Sequence, residues 1–295
     1  MACASTATER SEPQLRLLIL GLGYTASRLA ARLRDHGWRV AGTTRDGREG
    51  SIAFADTERV RFEIREATHI LSSVPPEGEA DPVLAAHGDA LMRSGVWLGY
   101  LSSTGVYGDS GGGWVDESAP TGTGRRTARA AADAAWLALP NAHVFRLPGI
   151  YGPGRSPLDR VREGRAQRVD AGGQVFSRIH VDDIVEGLVR GLQGPAGAYN
   201  LADDLPAPQS DVIACACRLL GLPVPPLVPL AQADLSPAAR AFYSENRRVA
   251  NGKAKRLLGL TLRYPDYRFG LRALSATTSP ASASSAPAAA SADQR

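Results

Sequence analysis

Lysine is nearly absent from this 295-residue chain: all but two of its 34 basic residues, Lys253 and Lys255, are arginine. A nucleic-acid surface gathers its cations on one face and interleaves aromatic side chains among them. Here the arginines are scattered among 30 acidic residues and the net charge is only +4, which reads as a solvated surface without a nucleic-acid partner. Three cysteines are too few for a disulfide framework. Cys215 and Cys217 fall in a helix-like stretch, where they read as small buried hydrophobes, and no partners with metal-ligand spacing accompany them. No apolar run reaches the roughly eighteen residues that a membrane helix needs. The opening MACASTATERSEPQ has no apolar core behind a basic cap, so neither a membrane partner nor a signal peptide is expected. Together these absences fit a cytoplasmic protein that binds no metal.

What is present is ordinary globular material, 43% hydrophobic and 22% charged, long enough for one large domain or a main domain with a satellite. Residues 272–295 are rich in Ala, Ser and Pro and cannot bury enough surface to offset their ordering entropy; they and residues 1–14 are expected to be disordered tails. Between the tails, apolar runs alternate with helical patterns. LRLLIL (15–20) is followed by a helix that stops at Gly37, then by the runs WRVAGTTR (38–45), ATHILSSVPP (67–76) and VWLGYLSS (96–103). An alanine-rich helix over 125–139 precedes AHVFRLPGIYG (142–152). This alternation predicts an α/β fold, a Rossmann-type doubly wound parallel sheet over 15–150. A smaller C-terminal substrate-binding region over 151–271 completes it, with part returning to the sheet. There RIHVDDIVEGLVRGL (178–192) reads as a strand and a helix capped by Asp182 or Asp183, and QSDVIACACRLLGLP (209–223) as a helix ending at Gly221.

GLGYTA (21–26) is G-x-G-x-x-A set directly between a strand and a helix, the context in which this motif binds a dinucleotide. Gly21 permits the tight turn, Gly23 lets a pyrophosphate approach the backbone, and the helix start offers N–H groups and a positive dipole end. At the end of the second strand an NAD site usually carries a carboxylate for the ribose. This chain reads Thr43, Thr44, Arg45, with the first acid at Asp46. Arg45, helped by the Thr43 or Thr44 hydroxyl, can fork onto a 2′-phosphate, which favours NADP(H); Asp46 on a turned loop keeps NAD(H) open. Ser72 and Ser73, which end the 67–76 run, are further candidates for cofactor contact.

LSSTGVYGDS (101–110) places Ser102, Ser103 and Thr104 at the end of an apolar run, where an α/β enzyme would polarise a carbonyl. With DESAP (116–120), FRLPGIYGPGR (145–155) and RIHVDDIVEGL (178–188), it resembles the extended short-chain dehydrogenases/reductases, the NAD-dependent epimerase/dehydratase group. The motifs occur in family order, and with the glycine turn the resemblance covers about residues 15 to 271. YNLADDLPAP and NGKAKRLLGLTLRYPDYRFGL look most similar to an uncharacterised, atypical branch of that group.

The resemblance implies hydride transfer, with Ser103 and the adjacent Thr104 as polarising hydroxyls. It also implies cofactor contacts on Tyr24, Thr25, Ser102, Leu147 and Pro148. The family's proton relay is a Tyr-x-x-x-Lys pair, and here no tyrosine has a lysine four positions later. The segment GTGRRTARAAAD stands where the pair belongs, giving Arg125 and Arg129 or, with a different gap, Ala128 and Ala132. General acid–base help is typically worth about 100- to 10,000-fold, so its loss matters. Three readings stay open. Tyr107 donates the proton, with Arg125 or Arg129 lowering its pKa; substrate or water supplies it; or the protein is a non-catalytic NADP(H)-binding sensor or scaffold. An arginine-dense run, Arg155, Arg160, Arg162, Arg165 and Arg168, makes a small anionic substrate plausible, while Phe176 stands where nucleotide-sugar epimerases can carry a phosphate-binding arginine. Relatives that pair through helices near 83–94 and 125–139 leave a homodimer open.

Overall fold

The structure is a computed structural model that describes residues 14–278. β1 (Arg16–Leu20) leads through the glycine turn into α1 (Tyr24–Arg34), followed by β2 (Arg39–Thr44) and the two-residue β3 (Ile52–Ala53). Next come α2 (Thr57–Glu66), β4 (His69–Ser72), α3 (Pro82–Ser94) and β5 (Trp97–Ser103). A loop carrying β6 (Trp114–Val115) precedes α4 (Thr127–Leu137) and β7 (Ala142–Leu147). β8 (Gly149–Tyr151), α5 (Pro157–Arg162), β9 (Arg168–Asp170), β10 (Arg178–His180) and α6 (Val181–Gly191) lead to β11 (Gly197–Asn200). The rest is α7 (Gln209–Leu219), β12 (Leu227–Pro229), α8 (Pro237–Ala241), β13 (Arg248–Val249), α9 (Gly252–Leu258) and α10 (Tyr267–Thr278).

Seven strands form one parallel sheet in the order β11-β7-β5-β4-β1-β2-β3. The unbroken apolar runs follow from burial on both faces, because successive side chains alternate sides. In β1, Leu17 and Ile19 pack with Leu29 and Leu33 of α1 and with Ile184 and Leu188 of α6. Leu18 and Leu20 pack on the other face with Ile64, Leu91 and the fully buried Trp136. The strand order reverses at β1, since β2 lies on one side and β4 on the other. That reversal opens a crevice beyond the carboxyl ends of β1 and β4, where open α/β sheets bind ligands.

Two sequence expectations need correction. The cap of α6 is His180, whose ring accepts from the Asp182 N–H at 3.2 Å. Asp183 instead accepts from the N–H groups of Arg263 (2.7 Å) and Tyr264 (3.1 Å), tying the C-terminal segment to α6. The tail expected from 272 starts later, because α10 runs to Thr278 with Leu271 and Leu274 buried beside α7. The expected tails over 1–13 and 279–295 lie outside the described residues.

β3 pairs only with Thr43 and Thr44, so the rest of β2 is an open edge beside a groove of about 690 Å³. Arg34, Arg39, Arg59 and Glu63 line that groove. Charged side chains of this kind discourage an exposed edge from pairing with other chains.

Behind the second sheet, β8 with β10, lies a buried polar cluster. Asp203 is 1% exposed, and its Oδ2 has no hydrogen-bond partner; the same is true of the buried Tyr151 hydroxyl. Burial pushes the Asp203 carboxyl up to about 8, against the opposing pull of Arg178. The ordinary unfolded value is about 3.9, so the folded state holds the extra proton. Its stabilising contribution is complete below about pH 4 and is lost as pH rises through 8. Asp203→Asn is therefore expected to gain stability over wild type between pH 5 and pH 8 in parallel urea titrations. An unchanged difference between the two proteins across that range would refute this assignment.

Candidate active site

The glycine turn is held from three sides. Gly21 has a positive φ of +92°, and a Cβ there would stand 2.9 Å from Val74 Cγ2, so only glycine fits. Its N–H donates to Thr43 Oγ1 at 3.0 Å, and the Ser73 hydroxyl donates to its carbonyl. Gly23 caps α1, whose first turn contains no acidic residue. A Cβ on Gly23 would meet nothing nearer than Ser73 Oγ at 4.0 Å, which leaves open space above this backbone. The N–H groups of the first turn of α1 face that space without intrahelical partners. Tyr24 turns away to donate to the Pro153 carbonyl at 3.0 Å, and Thr25 is buried.

At the end of β2 the hydroxyls are occupied. Thr43 serves the glycine turn, while Thr44 accepts from the Gly47 N–H (3.0 Å) and contacts Ser51 (2.7 Å) and Asp46 (3.2 Å). Thr44 therefore shapes the loop. Arg45 is exposed and makes no hydrogen bond or ion pair among the described residues, whereas Arg48 lies 3.9 Å from Asp46. Hydrogen bonds from backbone and from Thr44 hold Asp46 below the usual carboxylate range.

β5 ends in a short turn over Thr104–Tyr107 that begins at Ser103. Ser103 Oγ accepts from the Gly105 N–H at 3.1 Å and keeps its own proton to donate; Thr104 is buried. Leu147, level with Ser103 on the neighbouring strand β7, and Pro148 form the adjoining wall. Ser102, expected to touch the cofactor, instead points its hydroxyl into the core and donates to Asp133 Oδ2 at 2.6 Å. Asp133 also takes a two-pronged contact from Arg146, through Nη2 (2.7 Å) and Nε (3.1 Å). Arg146 Nη1 donates to the Tyr107 hydroxyl at 2.9 Å, and that hydroxyl donates to Asn200 Oδ1 at 2.7 Å.

Tyr107, the proton donor in one of the three open readings, is held as an anchor of this network. Its phenol is 3% exposed, committed to two partners, and pushed up by burial. Ser72, a cofactor-contact candidate at the end of β4, is buried, and its hydroxyl has no hydrogen-bond partner among the described residues.

No family model matches the chain. A protein of unknown function from Silicibacter pomeroyi is 45% identical, with 90% of this chain and 99% of that one covered at a TM-score of 0.80. Protein YeeZ of Escherichia coli K12 is 28% identical over 238 residues, 71% of this chain and 85% of its own. A Methylobacillus flagellatus protein assigned to the NAD-dependent epimerases/dehydratases is 25% identical, with 89% of this chain and 98% of that one covered at a TM-score of 0.68. The chain shares its fold with that epimerase/dehydratase structure along nearly its whole length. Its similarity to YeeZ supports the YeeZ-like resemblance expected from the sequence.

The start of α4 carries arginines where the relay pair of the resembled family would stand. Arg129 is drawn away from Ser103, donating to the Tyr100 hydroxyl at 3.0 Å. Arg125 lies 3.8 Å from Glu245, to which its backbone N–H also donates. The side chain that does reach the Ser103 turn is Arg126, which sequence reasoning missed. A Cβ on Gly105 would stand 2.7 Å from Arg126 Cδ, 3.3 Å from its Nε and 3.3 Å from Ser103 Oγ. The glycines explain this placement. Gly108 and Gly124 pack backbone to backbone, with any Cβ on either within 2.8 Å of the other's atoms, and the Gly122 N–H donates to the Val106 carbonyl. A one-residue offset within "GRR" was the signal, and no spacing argument distinguishes the two arginines. Neither lysine substitutes for the relay: Lys255 pairs with Asp204, and Lys253 lies over the Tyr199 ring. The residues of the arginine-dense run disperse. Arg162 and Arg165 pair with neighbouring acids, and Arg168 donates to the carbonyls of Ser210 and Pro225.

Proposed function

We propose that this chain binds NADP(H) in the crevice beyond β1 and β4 and acts as an oxidoreductase or epimerase on a small carbonyl or hydroxyl compound. The observation that carries this reading is the open backbone at Gly23, set against an acid-free helix start with an unpartnered arginine at the end of β2. Gly21, Gly23 and the first turn of α1 would hold the pyrophosphate, as helix N-termini hold anions. Arg45 would take the 2′-phosphate. Leu147 and Pro148 would back the nicotinamide. When bound, the dinucleotide supplies a hydride donor or acceptor.

The chain's own residues position and polarise. Ser103, held by the Gly105 N–H, donates to the substrate oxygen on which charge develops. Tyr107, Arg146, Asp133 and Asn200 fix the turn that aims it. The proton comes from water or from the substrate, since the buried phenol cannot give up its bond to Asn200 without breaking the network.

The test is a parallel titration of wild type and Arg45→Ala with NADPH and NADH. Wild type is expected to prefer NADPH, and the variant to lose roughly 10- to 100-fold in NADPH affinity with little change for NADH, the worth of hydrogen bonds to a charged group. Equal losses for both cofactors would move the 2′-phosphate seat elsewhere. Binding of neither by wild type would sink the reading.

A further inference from the structure

Arg126, beside the Ser103 turn, feels three other arginines, Arg125, Arg129 and Arg247, with Glu245 as the carboxylate that pairs among them. Three already have polar partners. Arg125 and Arg247 share Glu245, Arg247 also donates to the Gly108 carbonyl, and Arg129 donates to Tyr100. Arg126 makes no side-chain hydrogen bond and no ion pair among the described residues. Its guanidinium carbon lies 5.5 Å from the centre of the Phe242 ring. A half-buried guanidinium that has lost water, gained like charges and acquired no acceptor is costly in isolation, and an anion relieves that cost.

We infer that Arg126 seats a carboxylate of the substrate, next to the carbonyl or hydroxyl that Ser103 holds, so that the substrates are 2-oxo or 2-hydroxy acids. The inference rests on the oxidoreductase reading above. Arg126 Nε and Ser103 Oγ each lie 3.3 Å from where a Gly105 Cβ would stand, a point that Arg126 Cδ fills at 2.7 Å, so guanidinium and hydroxyl sit side by side at this turn, close enough for one small molecule to meet both. The guanidinium fork matches a planar carboxylate through two parallel hydrogen bonds. Only one fork is left uncommitted, so the seat fits a single negative charge better than a phosphate dianion. Phe242, which lies under both Arg125 and Arg126, walls the seat on the solvent side and keeps the guanidinium planes fixed. Arg126 stands one residue beyond Arg125, one of the positions where the family resemblance places the relay, so in this chain the helix start would bind the substrate and not shuttle its proton.

The probe is oxamate, a non-reducible 2-oxo acid analogue, titrated calorimetrically into the protein with saturating NADPH. Its neutral diamide, oxamide, and inorganic phosphate are run beside it. Oxamate is expected to bind and oxamide not. Arg126→Gln should weaken oxamate about 10- to 100-fold, with Arg126→Lys intermediate, while NADPH affinity and thermal midpoint stay at wild-type values. Equal oxamate affinity in wild type and Arg126→Gln would overturn the seat, as would absence of oxamate binding to a protein that binds NADPH. Tighter binding of phosphate than of oxamate would overturn the substrate class. Should NADPH itself not bind, the parent reading fails on its own, and oxamate titrated into the cofactor-free protein still decides the seat by its dependence on Arg126.

Discussion

Arg146→Met is expected to cost about 3–5 kcal/mol of folding stability, the usual penalty for removing one partner of a buried ion pair. The side chains of Asp133 and Arg146 are 1% and 4% exposed, so the orphaned carboxylate would have no water to fall back on. The Ser102 hydroxyl would be its one remaining side-chain partner, and the Tyr107 hydroxyl would lose a donor. Against a typical total of about 5–15 kcal/mol, such a loss shifts the urea midpoint far enough to read without ambiguity. The double variant Asp133→Leu/Arg146→Met is expected to recover much of the loss, because apolar replacements of both partners leave no buried charge. A loss below about 1 kcal/mol in the single variant would mean that water reaches Asp133 and that the network is less dry than the geometry indicates.

The second large effect concerns turnover. On the proposed reading, Ser103→Ala removes the hydroxyl that meets developing charge on the substrate oxygen. Loss of one preorganised donor of this kind typically lowers kcat by about 100- to 1,000-fold. The same variant should bind NADPH normally, because the cradle is built from Gly21, Gly23 and α1 and makes no use of Ser103. It should still fold, at a cost of about 1–3 kcal/mol, because the Gly105 N–H that donates to Ser103 sits on a buried residue and loses its acceptor. The assay is NADPH oxidation against a panel of carbonyl acids. Activity unaltered in Ser103→Ala would place the reacting carbon elsewhere. NADPH bound tightly by wild type with no turnover on any member of the panel would instead favour a cofactor-binding sensor.

The strands and the glycine turn were legible because both obey local rules. Buried parallel strands must be apolar on both faces, and a phosphate turn needs glycine at fixed offsets. The site around Ser103 was only half legible. Its hydroxyl follows from position at a strand end, but which neighbour reaches it depends on how two loops lie against each other. Those loops meet through Gly108 and Gly124, positions 16 residues apart with nothing in the sequence to pair them. The fate of Tyr107 was hidden for a similar reason, since its partners come from the distant strands β7 and β11. One clue stood in plain sight. An arginine in the apolar run AHVFRL and a lone aspartate in the alanine-rich helix are both out of place unless they meet. The cap of α6 was misread because His180 and the two aspartates compete for the same helix start, and burial of the histidine ring decides the contest.

β11 has a consequence for traffic into the crevice. Although it follows 49 residues of chain (148–196) outside the main sheet, it zips alongside β7 through four register pairs. The two halves of the molecule are thereby stitched into one slab, and they cannot swing apart like jaws without tearing a strand from its neighbour. The rim beside the Ser103 turn is closed in the same way, by the glycine-rich turn at 108–113 and the Phe242–Arg247 segment that hydrogen-bonds to it. An engineer wishing to retarget this scaffold would do better to recut that rim than to transplant the C-terminal half, which would arrive without a matching selvedge.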